Sequence, residues 1–308
     1  MFALVLYALC AHVLLMKGII LAAGKGTRLS PVSDPISKVL LPVYSKPMIY
    51  YPLSTLMLAG IKDIMVITSH GDKKNFIKTL GDGSQFGIKI SYKVQRIHKG
   101  IADAFIIAEK FIAGDRSVLI LGDNIYHGDG MKELMRKAHG NSKGCTVFLY
   151  EVSDPERFGV AEVDDQGNVI SLEEKPTEPK SNLAVTGLYF YDGDVCRIAK
   201  TLTPSARGEL EITDLNKVYM ARGALKACRM DKGYKWIDAG TFNSLLDAQN
   251  IICEIEKSTG RMVACPEEIA VEMGYMTASK IRESISGKKS EYYDKIRDGL
   301  DGKRSSDV

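Results

Sequence analysis

The sequence predicts an α/β fold: a Rossmann-like sheet, mixed but mostly parallel, that is flanked by helices and followed by a C-terminal helical extension. Three observations support this. Short apolar segments alternate with helical patterns through most of the 308 residues, as βαβ units require. Two later strand segments are separated by turn-forming residues 164–168, DDQGN, which indicates a hairpin. From Phe242 onward the apolar spacing is that of helices only.

The predicted strands are short segments that are either apolar throughout or alternate apolar and polar residues. The first of them, GIILAA, is apolar on both faces and is therefore expected to be buried. In chain order, strands are predicted at residues 18–23, 64–68, 88–94, 118–121, 146–152, 160–163, 169–172 and 187–191. Helices are predicted at residues 48–59, 75–80, 101–111, 131–138, 195–202, 212–221, 242–259 and 278–284.

The same patterns divide the chain into four parts. Residues 1–16 form an apolar N-terminal extension without a basic leader, too short to span a bilayer, and we expect it to precede the true start or to dock loosely. A membrane or partner contact is the alternative for this segment. Residues 17–241 form the α/β domain and residues 242–301 the helical extension, while residues 302–308 are expected to be a loose tail.

The charge balance argues against nucleic acid and membranes as partners. The chain has 41 Lys and Arg against 38 Asp and Glu, a net charge of +3, with both signs spread along it. No extended basic surface is therefore expected. The six cysteines occur singly, without the CxxC pairs or Cys/His clusters of zinc sites, which indicates free thiols in a reduced, cytoplasmic location.

A glycine-containing loop follows the first predicted strand. Its residues, Gly24-Lys25-Gly26-Thr27-Arg28, would let backbone N–H groups approach a phosphate without interference from Cβ atoms. The Walker A spacing is absent, and Leu29 stands where the dinucleotide-binding pattern needs its third glycine. By itself this loop indicates a phosphate site only weakly, because a structural turn has the same composition.

The N-terminal motifs resemble those of the sugar-nucleotide pyrophosphorylases, a nucleotidyltransferase family. They are GIILAAGKGTRL (18–29), SKVLLPV (37–43) and KPMIYYPL (46–53). Later motifs narrow the resemblance to the glucose-1-phosphate thymidylyltransferases, from residue 16 to at least residue 275. These are VQ (94–95), GIADA (100–104), LGDN (121–124), DPERFGV (154–160), SLEEKP (171–176), KSNLAVTGLYFYD (180–192), ARGELEITD (206–214) and WIDAGT (236–241).

The resemblance implies transfer of a thymidylyl group from dTTP to glucose 1-phosphate, with release of pyrophosphate, as the first step of dTDP-rhamnose or deoxysugar synthesis. Because the attacking phosphate oxygen is already ionised at neutral pH, such a site needs alignment, cations and Mg²⁺ rather than a general base. Arg28 carries a planar fork that suits phosphate oxygens, and Asp123 follows an apolar strand at the end where α/β sheets place their chemistry. The catalytic residues that the resemblance implies are Arg28, Lys38, Asp123, Lys175 and Asp238, with Asp123 and Asp238 sharing the metal.

The resemblance also implies two binding subsites, one for the nucleotide and one for the sugar phosphate. In the first, the Gln95 amide would read the pyrimidine edge with help from the backbone of Gly100. The nucleotide-binding residues are expected to be Ala23, Gly24, Gly26, Thr27, Arg28, Lys38, Val39, Gln95, Gly100 and Asp123. The sugar-phosphate-binding residues are expected to be Asn124, Gly159, Glu174, Lys175, Val185 and Arg207.

Some positions depart from the usual residues of this family. Val39 stands where a glutamine is usual beside the nucleoside, Ala23 where a glycine is usual, and Leu183 where a tyrosine is usual near the sugar. Use of UTP, or of several pyrimidine nucleotides, is therefore an alternative. A non-catalytic regulatory subunit is a second alternative, although the catalytic cations and both aspartates are present. The resemblance further implies a homotetramer, with inhibition by a dTDP-sugar at a second site.

Overall fold

A computed structural model of the chain describes residues 16–140 and 143–302. The apolar extension predicted at residues 1–16 therefore lies outside the described residues except for Met16, which begins the first strand. The loose tail predicted at residues 302–308 lies outside them except for Gly302. Cys10 is also outside, and the five described cysteines are free thiols.

Eight of the strands follow from the apolar and alternating segments of the sequence, with bounds close to those predicted except that the strand predicted at residues 187–191 begins four residues earlier. In chain order, the strands are β1 (Met16–Ala22), β2 (Pro42–Val43), β3 (Lys46–Pro47), β4 (Asp63–Thr68), β5 (Lys89–Val94), β6 (Arg116–Leu121), β7 (Asn124–Gly128), β8 (Cys145–Glu151), β9 (Gly159–Val163), β10 (Val169–Glu174), β11 (Leu183–Tyr191), β12 (Leu225–Arg229) and β13 (Tyr234–Asp238). Nine of them form one sheet; β7 pairs with β13, and β2 pairs with β3, outside it.

The central sheet is mixed, so the predicted fold class is confirmed. Strands β6, β1, β4 and β5 lie side by side in parallel, which brings their carboxyl ends to one edge. The other half is built around β11, which is buried along its whole length and runs antiparallel to β6, β8 and β9. The predicted hairpin is β9–β10, and Asp164 closes its turn by accepting from the backbone N–H of Asn168 at 2.8 Å.

Helices cover the sheet and continue beyond it. They are α1 (Tyr50–Leu58), α2 (Lys73–Leu80), α3 (Asp103–Ile107), α4 (Glu109–Ile112), α5 (Met131–Gly140), α6 (Val195–Ala199), α7 (Ile212–Ala221), α8 (Phe242–Thr259), α9 (Pro266–Glu272), α10 (Ala278–Ser284) and α11 (Glu291–Leu300). Within the described ranges, no helix is long and apolar enough to cross a membrane.

The structure corrects the predicted elements at several places. The single helix predicted at residues 101–111 is broken at Ala108 into α3 and α4, because Ala108 leaves the helical conformation. Strands β2, β3, β7, β12 and β13 and helices α9 and α11 were not predicted. Strands β2 and β3 are only two residues long, and each contains a proline. The other elements are short and only partly apolar, and their pairing partners or packing surfaces lie far away in sequence.

The helices after residue 260 share a hydrophobic core with the α/β region. Met262, Ile269 and Ile281 belong to the same buried cluster as Leu53 and Met57 of α1. A second cluster lies on the opposite face of the sheet, and a third joins α8 to the β2–β3 and β7–β13 ribbons. This packing fixes β13 beside the carboxyl ends of β1 and β6, where the cavity described next is found.

Candidate active site

A cavity of about 590 Å³ opens at the edge where β1 and β6 end. Polar and charged side chains from several distant segments meet in it, as is usual for sites at the carboxyl edge of an α/β sheet. The cavity is lined by Thr27, Arg28, Ile101, Leu121, Asp123, Asn124, Arg157, Phe158, Gly159, Glu174, Lys175, Val185, Gly187, Tyr189, Glu209, Ile212, Thr213, Trp236 and Asp238.

The glycine loop brings Thr27 and Arg28 into this cavity. Gly26 has a φ of +67°, which favours glycine, and its carbonyl accepts a hydrogen bond from Ser33 Oγ at 2.7 Å. A single turn of 3-10 helix, Thr27–Leu29, starts there. Ala23, which stands where a glycine is usual, is fully buried in the core and does not line the cavity.

Arg28 extends from the loop toward Asp238. Its Nη2 lies 4.0 Å from Asp238 Oδ2, and 55% of the Arg28 side chain is exposed to the cavity and solvent. The guanidinium packs over Gly240, where a Cβ atom would stand only 2.6 Å from Nη2. The glycine of the WIDAGT motif therefore makes room for the arginine, a role that the sequence pattern did not predict.

Lys38 and Asp123 form a buried ion pair at the end of β6. Lys38 Nζ donates to Asp123 Oδ2, and Asn124 Nδ2 donates to Asp123 Oδ1 at 3.1 Å. Burial acts to raise the pKa of Asp123, but the ammonium of Lys38 and these hydrogen bonds outweigh it, so the pKa lies below the ordinary value. Lys38 does not line the cavity itself; it acts on the carboxylate that does.

Asp238 is brought next to Asp123 by the β7–β13 ribbon. Asp238 is paired with Asn124 in this ribbon, and the backbone N–H of Ala239 donates to the carbonyl of Asp123 at 3.0 Å. Burial and the negative charge of Asp123 raise the pKa of Asp238 to about 6. Two carboxylates that destabilise each other's charge in this way form a site that a cation would relieve.

The two aspartates fit Mg²⁺, which shares its ligands between protein and substrate, better than a metal whose ligands all come from protein side chains. Within the described residues, no three His, Cys, Asp or Glu side chains cluster to hold a metal ion. Mg²⁺ is bound by one or two carboxylates together with water and substrate phosphates. Asp123 and Asp238 supply that number of protein ligands on the wall of an open cavity.

Glu174, Val185 and Gly159 lie together in the cavity lining, because Gly159 is paired with both of the others in the sheet. Glu174 Oε2 accepts a hydrogen bond from Thr213 Oγ1 at 2.5 Å, which fixes the carboxylate at the cavity surface. A Cβ atom at Gly159 would stand 3.0 Å from Thr213 Oγ1 and 3.4 Å from Glu174 Oε2. Glycine at this position therefore keeps the wall open beside the Glu174 carboxylate.

Lys175 lines the cavity from an unusual backbone conformation. Its φ is +46°, in the left-handed region that disfavours residues with a Cβ atom. The backbone N–H of Lys175 donates to the carbonyl of Phe158 at 2.9 Å, which holds this turn against the preceding strand segment. Strain of this kind is common where a fold must aim one side chain at a site.

Arg207 lies outside the cavity lining and contacts carboxylates instead. Its guanidinium donates to Glu211 at 2.7 and 3.1 Å and to Glu174 Oε1 at 3.3 Å, and it lies 3.6 Å from Glu209. In this arrangement Arg207 braces Glu174. Its predicted contact with the sugar phosphate stays a prediction.

The residues predicted for the base lie at the end of β5, beyond the cavity lining. Gln95 is buried, and its Nε2 donates to Asp103 Oδ2 at 2.9 Å. Gly100 has a φ of +95°, and a Cβ atom there would stand 2.5 Å from the carbonyl oxygen of Leu210. Val39 is only 2% exposed and packs against Gly122, where an added Cβ atom would lie 2.9 Å from Val39 Cγ1. Val39 therefore belongs to the core.

Several lining residues were not predicted as site residues, although their motifs were recognised. Trp236 Nε1 and the backbone N–H of Gly187 both donate to Asn124 Oδ1, at 2.7 and 3.1 Å. The rings of Phe158 and Trp236 pack edge to face with centroids 5.1 Å apart. Arg157 and Tyr189 also line the cavity. The aromatic residues in DPERFGV and WIDAGT were the signal that could have indicated them.

The comparisons with known proteins agree on one family. The model for the nucleotidyl transferase family matches residues 17–255. A glucose-1-phosphate thymidylyltransferase of Xanthomonas campestris pv. campestris (strain B100) is 52% identical over 265 residues, 86% of this chain and 90% of that protein. One from Mycobacterium tuberculosis (strain CDC 1551 / Oshkosh) is 50% identical over 261 residues, 85% of this chain and 90% of that protein.

A solved structure supports the same assignment. It is the crystal structure of a Bacillus anthracis protein assigned as a glucose-1-phosphate thymidylyltransferase, which is 46% identical and superposes with a TM-score of 0.72 over 77% of this chain and 94% of that one. The resemblance seen in the motifs is thus confirmed over most of the sequence. This chain belongs to the nucleotidyl transferase family, and within it to the group of the glucose-1-phosphate thymidylyltransferases.

Proposed function

We propose that this protein is a Mg²⁺-dependent transferase that joins dTTP and glucose 1-phosphate to give dTDP-glucose and pyrophosphate. One observation carries the proposal: two cations, Arg28 and Lys175, and two aspartates, Asp123 and Asp238, line a single cavity although they come from distant segments. The names of the relatives supply the identity of the two substrates.

The chemistry requires alignment and charge neutralisation. An oxygen of the glucose 1-phosphate forms a bond to the α-phosphorus of dTTP, and the bond from that phosphorus to the bridging oxygen of the leaving group breaks. Pyrophosphate leaves with the electron pair. No proton has to be removed from the nucleophile at neutral pH, so fixed cations and aligned substrates account for most of the catalysis.

In this proposal, one group of side chains acts on the nucleotide and another on the sugar phosphate. Arg28, beside the glycine loop, would bind oxygens of the triphosphate through its fork, while Lys38 holds Asp123 in its ionised form. Lys175 would bind the phosphate of the sugar substrate. Glu174, fixed by Thr213, would accept hydrogen bonds from sugar hydroxyls.

Asp123 and Asp238 are the residues that would hold Mg²⁺. When bound, the ion would neutralise charge on the nucleotide phosphates as the leaving group departs. The 4.0 Å distance between Arg28 and Asp238 supports a role for these carboxylates beside the triphosphate.

The proposal is tested by pyrophosphate release from glucose 1-phosphate and Mg²⁺, with dTTP, UTP, ATP, CTP and GTP supplied separately. We expect the highest kcat/KM with dTTP and a loss of at least about 100-fold in Asp123→Asn, because a metal ligand and charged group is lost. Asp129→Asn, the same change on an exposed loop after β7, should leave the rate unchanged. No release with any nucleotide by the folded protein would refute the proposal and favour a regulatory subunit.

The same assay decides between dTTP and UTP. Val39, where a glutamine is usual, is buried and lies outside the cavity lining, as Gln95 does, so use of UTP stays an alternative that this assay decides. A kcat/KM for UTP equal to or above that for dTTP would keep the reaction and change the named substrate. Homotetramer formation, inhibition by a dTDP-sugar and a cytoplasmic location stay predictions from the family; light scattering tests the first.

A further inference from the structure

A buried hydrogen bond joins the predicted base-reading residue to Asp103, a carboxylate of the GIADA motif that was not predicted as a site residue. Gln95 follows β5, and Asp103 is the first residue of α3. Gln95 Nε2 donates to Asp103 Oδ2 at 2.9 Å, and the two residues are only 5% and 8% exposed. A pair that is so well shielded from water holds its geometry more firmly than a surface contact.

The segment between the two residues is itself fixed against the cavity. The backbone N–H of Leu210 donates to Lys99 O at 2.6 Å, and that of Ala102 donates to Leu210 O at 3.1 Å. Ile101, held between these two bonds, lines the cavity. The Gln95–Asp103 pair therefore lies beside the cavity wall on a segment with little freedom to move.

The chemistry of the pair allows only one orientation of the Gln95 amide. A carboxylate accepts hydrogen bonds and cannot donate them, so the amide must turn its nitrogen toward Asp103. Turning the oxygen toward Asp103 would place two acceptors in contact. Among the described residues nothing donates to Gln95 Oε1, and this oxygen is not among the fully buried atoms that lack a partner, so it can accept a hydrogen bond from a ligand.

The orientation of this amide decides which pyrimidine it can read. Thymine and uracil present the N3–H donor beside the O4 acceptor, whereas cytosine presents an N3 acceptor beside an amino donor. An amide with its oxygen toward N3 and its remaining N–H toward position 4 pairs with the first pattern. The same amide turned over pairs with the second.

We propose that Asp103 is a positioning residue that fixes the Gln95 amide and thereby selects thymine or uracil against cytosine. This inference rests on the proposed function, because it assigns a specificity mechanism to the nucleotide end of that site. Asp103 itself touches no base; it acts through Gln95. Discrimination arises because the wrong base meets two like groups at the amide edge, a contact that costs more than a missing bond.

The test compares kcat/KM for dUTP and dCTP, which differ only at positions 3 and 4 of the base, in the wild type and in Asp103→Asn. Asparagine has the same shape but can donate to Oε1 as well as accept from Nε2, so it releases the amide to turn over. We expect the dUTP-to-dCTP ratio to fall by about tenfold or more, the size of one bidentate base contact. Asp82→Asn, the same change in an exposed loop before β5, should leave the ratio unchanged.

A double-mutant cycle separates positioning from a general structural role. In the Gln95→Ala background, Asp103→Asn should no longer change the dUTP-to-dCTP ratio, because the group it acts through is gone. A variant that lowers kcat/KM equally for both nucleotides, or that shifts the ratio just as much without Gln95, would overturn the inference while leaving the proposed function intact. Absence of turnover by the wild type with every nucleotide would overturn the proposed function, and the inference with it.

Discussion

At the scale of single residues, the two aspartates form a site that suits a cation but lowers the stability of the metal-free protein. Asp123 keeps its charge because Lys38 contacts it, whereas Asp238 has its ion-pair partner Arg28 4.0 Å away and is buried beside another carboxylate. The pKa of Asp238 is therefore raised to about 6. Ionising it at neutral pH works against folding until a cation is present.

This raised pKa predicts a pH dependence of stability in the metal-free protein. Since the folded state binds the Asp238 proton more tightly than the unfolded state, the contribution of Asp238 to the free energy of unfolding should fall as pH rises from about 4 to about 6 and then level off. The contribution is up to about 3 kcal/mol. Urea unfolding with EDTA, compared with Asp238→Asn, isolates this contribution from those of the other carboxylates.

Mg²⁺ should reverse part of the effect, and only where Asp238 is ionised. We expect the ion to raise the urea midpoint of the wild type more at pH 7 than at pH 5, and to have little effect on Asp238→Asn. The Asp129→Asn variant should behave as the wild type. Equal slopes with pH in the wild type and Asp238→Asn would show that Asp238 does not carry the raised pKa.

Lys175 predicts a separation of stability from activity, because its backbone and its ammonium have different effects. Glycine tolerates the positive φ at position 175 without strain. The free energy of unfolding of Lys175→Gly should therefore be about 0.5–1 kcal/mol higher than that of Lys175→Ala. Both variants should lose at least about 100-fold in kcat/KM for glucose 1-phosphate, because the cation is gone. Thermal unfolding and pyrophosphate release measure the two effects.

Ala113 offers a matched control for that strain. It also has a positive φ, +51°, in the turn after α4. Ala113→Gly should gain stability in the same way without any change in kcat/KM. A Lys175→Gly variant that keeps wild-type activity would remove Lys175 from the proposed mechanism.

At the scale of elements, the sequence predicted what local periodicity encodes. The apolar segments of β1, β4 and β6 and the 3.6-residue spacing of α7 and α8 gave bounds within one or two residues of the observed ones, because packing there follows the local pattern. Strand β13 could not be found in this way, since two of its five residues are charged and its partner, β7, lies more than 100 residues earlier.

The site residues likewise divide into those that local pattern predicts and those that depend on contacts between distant segments. Arg28 and Asp123 could be argued from their places at the ends of apolar strands, but the meeting of Asp123 with Asp238 depends on the long-range β7–β13 pairing. The Asp103 partner of Gln95 and the carboxylates around Arg207 depend on loop conformations that no spacing encodes. The family resemblance supplied residue identities there, and only the structure supplied their partners.

A tight contact of Gly187 in β11 shows how a residue without a side chain can affect the site. A Cβ atom on Gly187 would stand 2.6 Å from Asn124 Oδ1 and 2.7 Å from Leu121, so Gly187→Ala must push Asn124 away from Asp123. We expect a loss of about 1–3 kcal/mol in the free energy of unfolding and of roughly tenfold in kcat/KM. Urea unfolding and pyrophosphate release report these two quantities.

Gly71 provides the matched glycine, since an added Cβ there would meet no atom within 4 Å. Gly71→Ala should therefore change neither stability nor rate by a measurable amount. If Gly187→Ala behaved in the same way, β11 would not be packed tightly enough against Asn124 to position the Asp123 carboxylate.

At the scale of the whole molecule, a buried ion pair joins the N-terminal half to the C-terminal helices. Lys46 of β3 lies 3.2 Å from Glu256 of α8, and their side chains are 1% and 2% exposed. Glu256 Oε1 also accepts from the backbone N–H of Val263 at 3.0 Å, which fixes the turn between α8 and α9. Because α9 and α10 share the core of α1, we expect the two halves to unfold together.

Lys46→Met tests that coupling by removing the nearer cation of the buried Glu256, so that the longer contact with Lys295, at 3.8 Å, remains. The free energy of unfolding should fall by roughly 3–5 kcal/mol, and the Lys46→Met/Glu256→Gln pair should recover most of the loss, because Gln still accepts from Val263 and carries no charge. Lys132→Met, which breaks an exposed pair with Glu272, should cost less than about 1 kcal/mol.

The single tryptophan, Trp236, lies in the active-site cavity, so its fluorescence reports on the α/β half while circular dichroism reports on all helices. Coincident transitions in every variant would establish one folding unit, whereas loss of helix signal before the Trp236 signal would show that the C-terminal helices unfold on their own.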